Sequence, residues 1–116
     1  MNIRFSPESV RVRISLDEAC ALERDGKLTQ KVPLAEDEIL IEVLIPADQD
    51  ETAQFSYLGG VARTSLRKSE FLKLLADKLS RESCIRAALR STSDSPLDFV
   101  FEIDLLSRKQ KKESKQ

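Results

Sequence analysis

The sequence predicts an α+β fold, a mainly antiparallel sheet or sheet pair with two helices, and three observations carry that prediction. First, Val10-Arg11-Val12-Arg13-Ile14 and the run from Leu97 to Ile103 place apolar and polar residues in strict alternation, the period of half-buried strands. Second, Ser15-Leu16-Asp17-Glu18 follows the first of these runs at once and has the pattern of a capping box. The Ser15 hydroxyl can accept from the Glu18 amide while the Glu18 carboxylate reaches back to the Ser15 amide. Third, the order strand, strand, helix, strand, strand fits residues 2–46 and again 52–106.

Taken in order, 2–5 reads as a short strand and Ser6-Pro7-Glu8-Ser9 as a turn. After the strand at 10–14, Leu16, Ala19, Cys20 and Leu22 give the first helix an apolar stripe, and Asp25-Gly26 ends it. A moderate strand over 28–32 precedes Pro33. Ile39-Leu40-Ile41-Glu42-Val43-Leu44-Ile45, closed by Pro46, is apolar enough for a central strand covered on most of both faces. The strand at 52–58 places Ala53, Phe55 and Tyr57 on one face. Gly59-Gly60 then offers two residues tolerant of positive φ, the signature of a tight hairpin, and 61–66 returns as its second arm.

A second helix is expected from about 67 to 79, with Phe71, Leu72, Leu75 and Leu79 at helical spacing. Residues 84–90 fit either period. The strand is preferred, because 91–96 has the composition of a hairpin loop. The last strand should turn Leu97, Phe99, Phe101, Ile103 and Leu105 inward and Asp98, Glu102 and Asp104 outward, with Val100 less buried than its two Phe neighbours.

The two halves match most closely where strand meets helix: Arg13, Ser15 and Leu16 recur as Arg63, Ser65 and Leu66. A strand entering a capped helix reuses such residues, so duplication and simple convergence both stay open. Either way, two such units would pack with both helices on apolar faces and a pseudo-twofold axis between them.

One core is all that 116 residues support, so 1–106 is read as a single domain and 107–116 as a basic tail. With 41% hydrophobic and 34% charged residues the chain is globular in composition, and five Phe, one Tyr and no Trp leave the core to aliphatic side chains. The tail SRKQKKESKQ carries five Lys/Arg and one Glu, which leaves 14 basic and 19 acidic residues in the body. An acidic body argues against a dedicated nucleic-acid domain, and the tail alone would give weak, salt-sensitive binding. No apolar run is long enough to span a membrane, and 1–7 lack the apolar segment of a secretory signal, so a cytoplasmic location is expected. Cys20 and Cys84 are expected to be buried free thiols in a reducing compartment rather than a disulfide.

The residue inventory narrows the chemistry. There is no His, the commonest general base and metal ligand, and neither Cys has a CxxC partner. No dinucleotide fingerprint or phosphate loop is present. No cofactor or catalytic residue is therefore assigned. Glu102 and Asp104, on one strand face, are the remaining basis for a carboxylate enzyme or a metal site. Arg11, Arg13 and Arg63 admit two readings. They converge on an anion or acidic partner, or they pair with Asp98, Glu102 and Asp104 across a sheet.

The opening Ile3-Arg4 with Ser9-Val10-Arg11-Val12-Arg13-Ile14-Ser15-Leu16-Asp17-Glu18, and the closing Leu97-Asp98-Phe99-Val100-Phe101-Glu102-Ile103-Asp104, resemble a family of small bacterial proteins that share a domain of unknown function. Ile103 stands where that family tends to carry Lys, and its closing Cys motif is missing. The resemblance implies an α+β fold and assigns no activity. Together these readings predict a non-catalytic binding or interaction module for a protein or anionic ligand, able to form a homodimer through an exposed strand edge. The alternative is a small carboxylate enzyme or metal-binding protein.

The capping box yields a direct test: Ser15→Ala should destabilise the protein by about 1 kcal/mol. Equal urea midpoints for mutant and parent would show that this junction contributes nothing.

Overall fold

A computed structural model describes residues 1–77, 84–89 and 96–104. Among them are two helices and eight strands in the expected order: β1 (Asn2–Phe5), β2 (Ser9–Ser15), α1 (Leu16–Asp25), β3 (Lys27–Leu34), β4 (Asp37–Leu44), β5 (Ala53–Leu58), β6 (Val61–Leu66), α2 (Lys68–Ala76), β7 (Cys84–Leu89) and β8 (Leu97–Asp104). The ambiguous segment beginning at Cys84 is a strand. The expected helix end at Leu79, the loop at 91–95, the inward Leu105 and the tail at 107–116 lie outside the described residues.

The strands form two four-stranded sheets, ordered β1-β2-β8-β7 and β3-β4-β6-β5. Each is two antiparallel hairpins joined by a parallel seam, β2 with β8 and β4 with β6. The halves therefore do not build one sheet each. They exchange hairpins, so that every sheet holds one hairpin from 2–46 and one from 52–106. The joins around α1 leave little alternative. Helix follows β2 without a spacer, and Gly26, at φ 75°, is the only residue between α1 and β3. A ten-residue helix carries the chain roughly 15 Å before β3 begins. The second hairpin is thus delivered away from the first.

The seams repeat one another. Arg13 lies opposite Glu102 in one, and Arg63 lies opposite Glu42 in the other. The capping box is formed, with the Glu18 amide donating to Ser15 Oγ at 3.1 Å and the Ser15 amide donating to Glu18 Oε1 at 2.9 Å. Gly59 and Gly60 both have positive φ and join β5 to β6 with Leu58 opposite Val61, the two-residue hairpin their composition demands.

The inner faces meet in one apolar cluster containing Val10, Val12, Ile14, Leu22, Val43, Leu66, Phe71, Phe99 and Phe101. Phe71 of α2 packs edge-on against Phe101, with ring centroids 6.2 Å apart. Ala19 and Leu22 anchor α1, and Phe71, Leu74 and Leu75 anchor α2. No helix among the described residues is long and apolar enough to cross a membrane.

Three expectations about burial need correction. Cys20 is exposed and Cys84 half-buried, both as free thiols. Cys20 is displaced about 100° from Ala19 around the helix, outside the narrow stripe that packs. Val100 is buried as deeply as the core, at 4% exposure, although it faces outward. Its strand is central, and its neighbours in register, Arg11 and Arg86, flank it with long aliphatic stems. Tyr57 shares a face with Ala53 and Phe55 but is 53% exposed, because β5 runs past the end of the core.

Thr64 is wholly buried on the inner face of β6, and its hydroxyl has no hydrogen-bond partner among the described residues. An unpaired buried hydroxyl opposes folding. Thr64→Val should therefore raise stability by about 1 kcal/mol, read from the urea midpoint. A lowered midpoint would show that the hydroxyl is satisfied in solution.

Candidate functional site

The seams give each sheet a charged outer face, because inward and outward residues alternate and β2, β6 and β8 carry their charges on the outward side of that alternation. On the first sheet, Arg13 Nε donates to Glu102 Oε1 at 2.9 Å, Arg11 Nε lies 3.8 Å from the same oxygen, and Arg13 Nη1 lies 3.7 Å from Asp104. On the second, Arg63 Nε donates to Glu42 Oε1 at 2.8 Å and Lys27 Nζ lies 3.1 Å from Glu42 Oε2. The structure does not gather Arg11, Arg13 and Arg63 in one place. Arg11 and Arg13 pair across the sheet with Glu102 and Asp104, Arg63 belongs to the other sheet, and Asp98 lies opposite Ser9 rather than an arginine.

The Glu102 and Asp104 carboxylates, candidates for a metal or an acid–base pair, are thus held by guanidinium groups. Among the described residues no three His, Cys, Asp or Glu side chains gather as a metal site.

Glu42 is only 5% exposed, yet it is covered by two surface cations rather than sunk in the core. Hydrogen bonds from Arg63 and then Lys27 hold its carboxyl below the usual range, against the opposing push of burial. Glu18 is also held low. Burial pushes it up, but hydrogen bonds from the Met1 amine and Ser15 outweigh that.

Beyond the seams, the related rows of the two sheets differ. The row across the first sheet reads Arg4, Arg11, Val100, Arg86, while its counterpart reads Leu58, Val61, Leu40, Lys31. Arg4 directly faces Arg11, an unfavourable like-charge pair, and with Asn2 and Arg13 they line a small cleft.

The larger depression, of roughly 1020 Å³, lies where edge strands β5 and β7 approach one another. Arg63 of β6, Arg67 at the start of α2 and Arg86 of β7 all reach it, and among the described residues Glu51 is the only carboxylate on its wall. Gln49 fixes the approach to this wall. Its amide donates to the carbonyls of Glu51 (2.9 Å) and Ser65 (3.0 Å), and it accepts from the Ser65 hydroxyl. The Arg67 amide donates to the Thr52 carbonyl at 3.0 Å, tying the base of α2 to β5. Among the described residues neither Arg67 nor Arg86 makes an ion pair.

Sequence reasoning found Arg63 but missed Arg67 and Arg86. Arg86 was visible as the polar member of an alternating strand, but its neighbours across the groove follow only from the sheet order.

Comparison of the chain with protein-family models, with curated proteins and with solved structures finds no match in any of the three.

The Glu42 cluster makes a pH prediction. Its folded-state pKa is depressed, so its contribution is present above the ordinary carboxylate range and disappears as pH falls through the lowered value. Glu42→Gln should cost about 1 kcal/mol at pH 7, the scale of a solvent-screened surface cluster, and almost nothing near pH 2. An equal difference in urea stability at both pH values would rule out an electrostatic role.

Proposed function

We propose that this protein is a non-catalytic binding module and that the groove between β5 and β7 takes an anionic ligand or an acidic stretch of a partner protein. The observation that carries the reading is the convergence of Arg63, Arg67 and Arg86, from three separate elements, on a groove with a single carboxylate in its wall among the described residues. Guanidinium groups offer several fixed donors each, which suits carboxylate or phosphate recognition. Arg67 and Arg86 make no ion pair among the described residues, so an incoming anion need not displace a partner from them. The reading places the protein in the cytoplasm, in keeping with two free thiols. It assigns no catalytic residue and ranks nucleic acid below an acidic protein, because the body of the chain is itself acidic.

Calorimetry with a hexaglutamate peptide at low salt tests the site. Arg67→Gln/Arg86→Gln should bind about tenfold more weakly or worse with its thermal midpoint retained, while Arg11→Gln/Arg13→Gln keeps the parental affinity and loses a little stability with its ion pairs. The reverse pattern would transfer the site to the cleft on the other sheet.

A further inference from the structure

The same groove has a second property, set by the backbone. Leu58 and Val61 flank a two-residue turn and so form a hydrogen-bonded pair. Alternation along the ladder then makes Ser56 and Gln54 bond to β6, and Ala53, Phe55 and Tyr57 turn their N–H and C=O groups to the open side. The Arg67 amide bonded to the Thr52 carbonyl continues that alternation.

On the facing strand, the Asp98 amide donates to the Glu8 carbonyl, toward β2. The odd-numbered residues of β8 therefore bond to Ile85, Ala87 and Leu89, and β7 turns the backbone of Arg86 and Ala88 to the groove. Among the described residues no backbone hydrogen bond joins β5 to β7.

Free edges are usually defended by shortness, charge or proline. β1 has only four residues, β3 carries Lys27, Lys31 and Pro33, and β7 carries Arg86. β5, Ala-Gln-Phe-Ser-Tyr-Leu, has neither charge nor proline. It is the undefended edge, and it borders the arginine groove.

We infer that an extended acidic segment of a partner protein adds along the free edge of β5 as a fifth strand, its acidic side chains beside Arg63, Arg67 and Arg86. The inference rests on the proposed anion-binding role of the groove and specifies how the ligand is held. Main-chain bonds to Ala53 and Phe55 supply affinity, and side-chain alternation supplies selectivity. Residues of the added strand on the outer face meet Arg63 and Arg86. Those on the inner face meet Phe55, Ala87 and Leu89. The favoured ligand therefore alternates acidic and apolar residues.

Three peptides of seven residues separate this from charge attraction alone: one alternating Glu and Val, one of the same composition in two blocks, and the alternating peptide N-methylated on every second amide. The alternating peptide should bind about tenfold more tightly than either control and slow amide exchange at Ala53, Phe55 and Tyr57. Arg67→Gln/Arg86→Gln, with its thermal midpoint retained, should lose about tenfold in that affinity. Equal binding of all three peptides, still lost in the arginine variant, would overturn strand addition and leave the anion groove standing. Failure of all three and of hexaglutamate would overturn both. Tighter binding of single-stranded oligothymidylate than of any peptide would replace the protein partner with nucleic acid. Protection of β5 that grows with protein concentration alone would make the edge an interface between copies of this chain.

Discussion

Parallel pairing of strands far apart in sequence is the constraint on which the rest of this structure depends. β2 pairs with β8 and β4 with β6, so each sheet is completed only by a hairpin from the other half of the chain. Loop-closure entropy must be met before such contacts return any stability. What returns it is the apolar layer between the sheets, in which Val12 sits beside Phe101 and Val43 beside Thr64. The charged outer faces are secondary. Arg13 with Glu102 and Arg63 with Glu42 occupy matching places in the two seams, where pairs on a sheet's outer face contribute modestly to stability but favour correct register.

Local structure was largely legible because its causes are local. The capping box at Ser15, the two glycines after Leu58, and the alternation of β2 and β8 each determine a backbone conformation without help from distant residues. The α+β class and the repeated element order follow from them. They admit one sheet or a pair, and the pairing decides it for two. What was not legible is pairing. Nothing in Val10–Ile14 distinguishes a neighbour at 97–104 from one at 28–32, and so the hairpin exchange and the parallel seams could not be read. The burial of Val100 and the exposure of Tyr57 are consequences of that same missing information. One depends on being central in a sheet, and the other on where a sheet outruns its core.

The candidate site was legible only in part, for the same reason. Arg63 stands out in the sequence because Arg13 matches it, but that symmetry pointed toward Arg11 and Arg13, on the other sheet. The groove joins Arg63 to Arg67 and Arg86, which no periodicity connects. The corresponding rows Arg4–Arg11–Val100–Arg86 and Leu58–Val61–Leu40–Lys31 show how far two similar frameworks differ on their outer faces. The framework sets where strands end and which edges stay open. The side chains on those edges set what can bind.

Because both halves contribute to both sheets, the two sheets are expected to open together. Native-state hydrogen exchange of the amides of β2 and β8, compared with those of β4 and β6, measures this directly. The account predicts that the slowest amides of the two sheets exchange with one common free energy, equal to that of global unfolding. A gap between the sheets larger than about 1 kcal/mol, with one set exchanging through a partly open state, would contradict it.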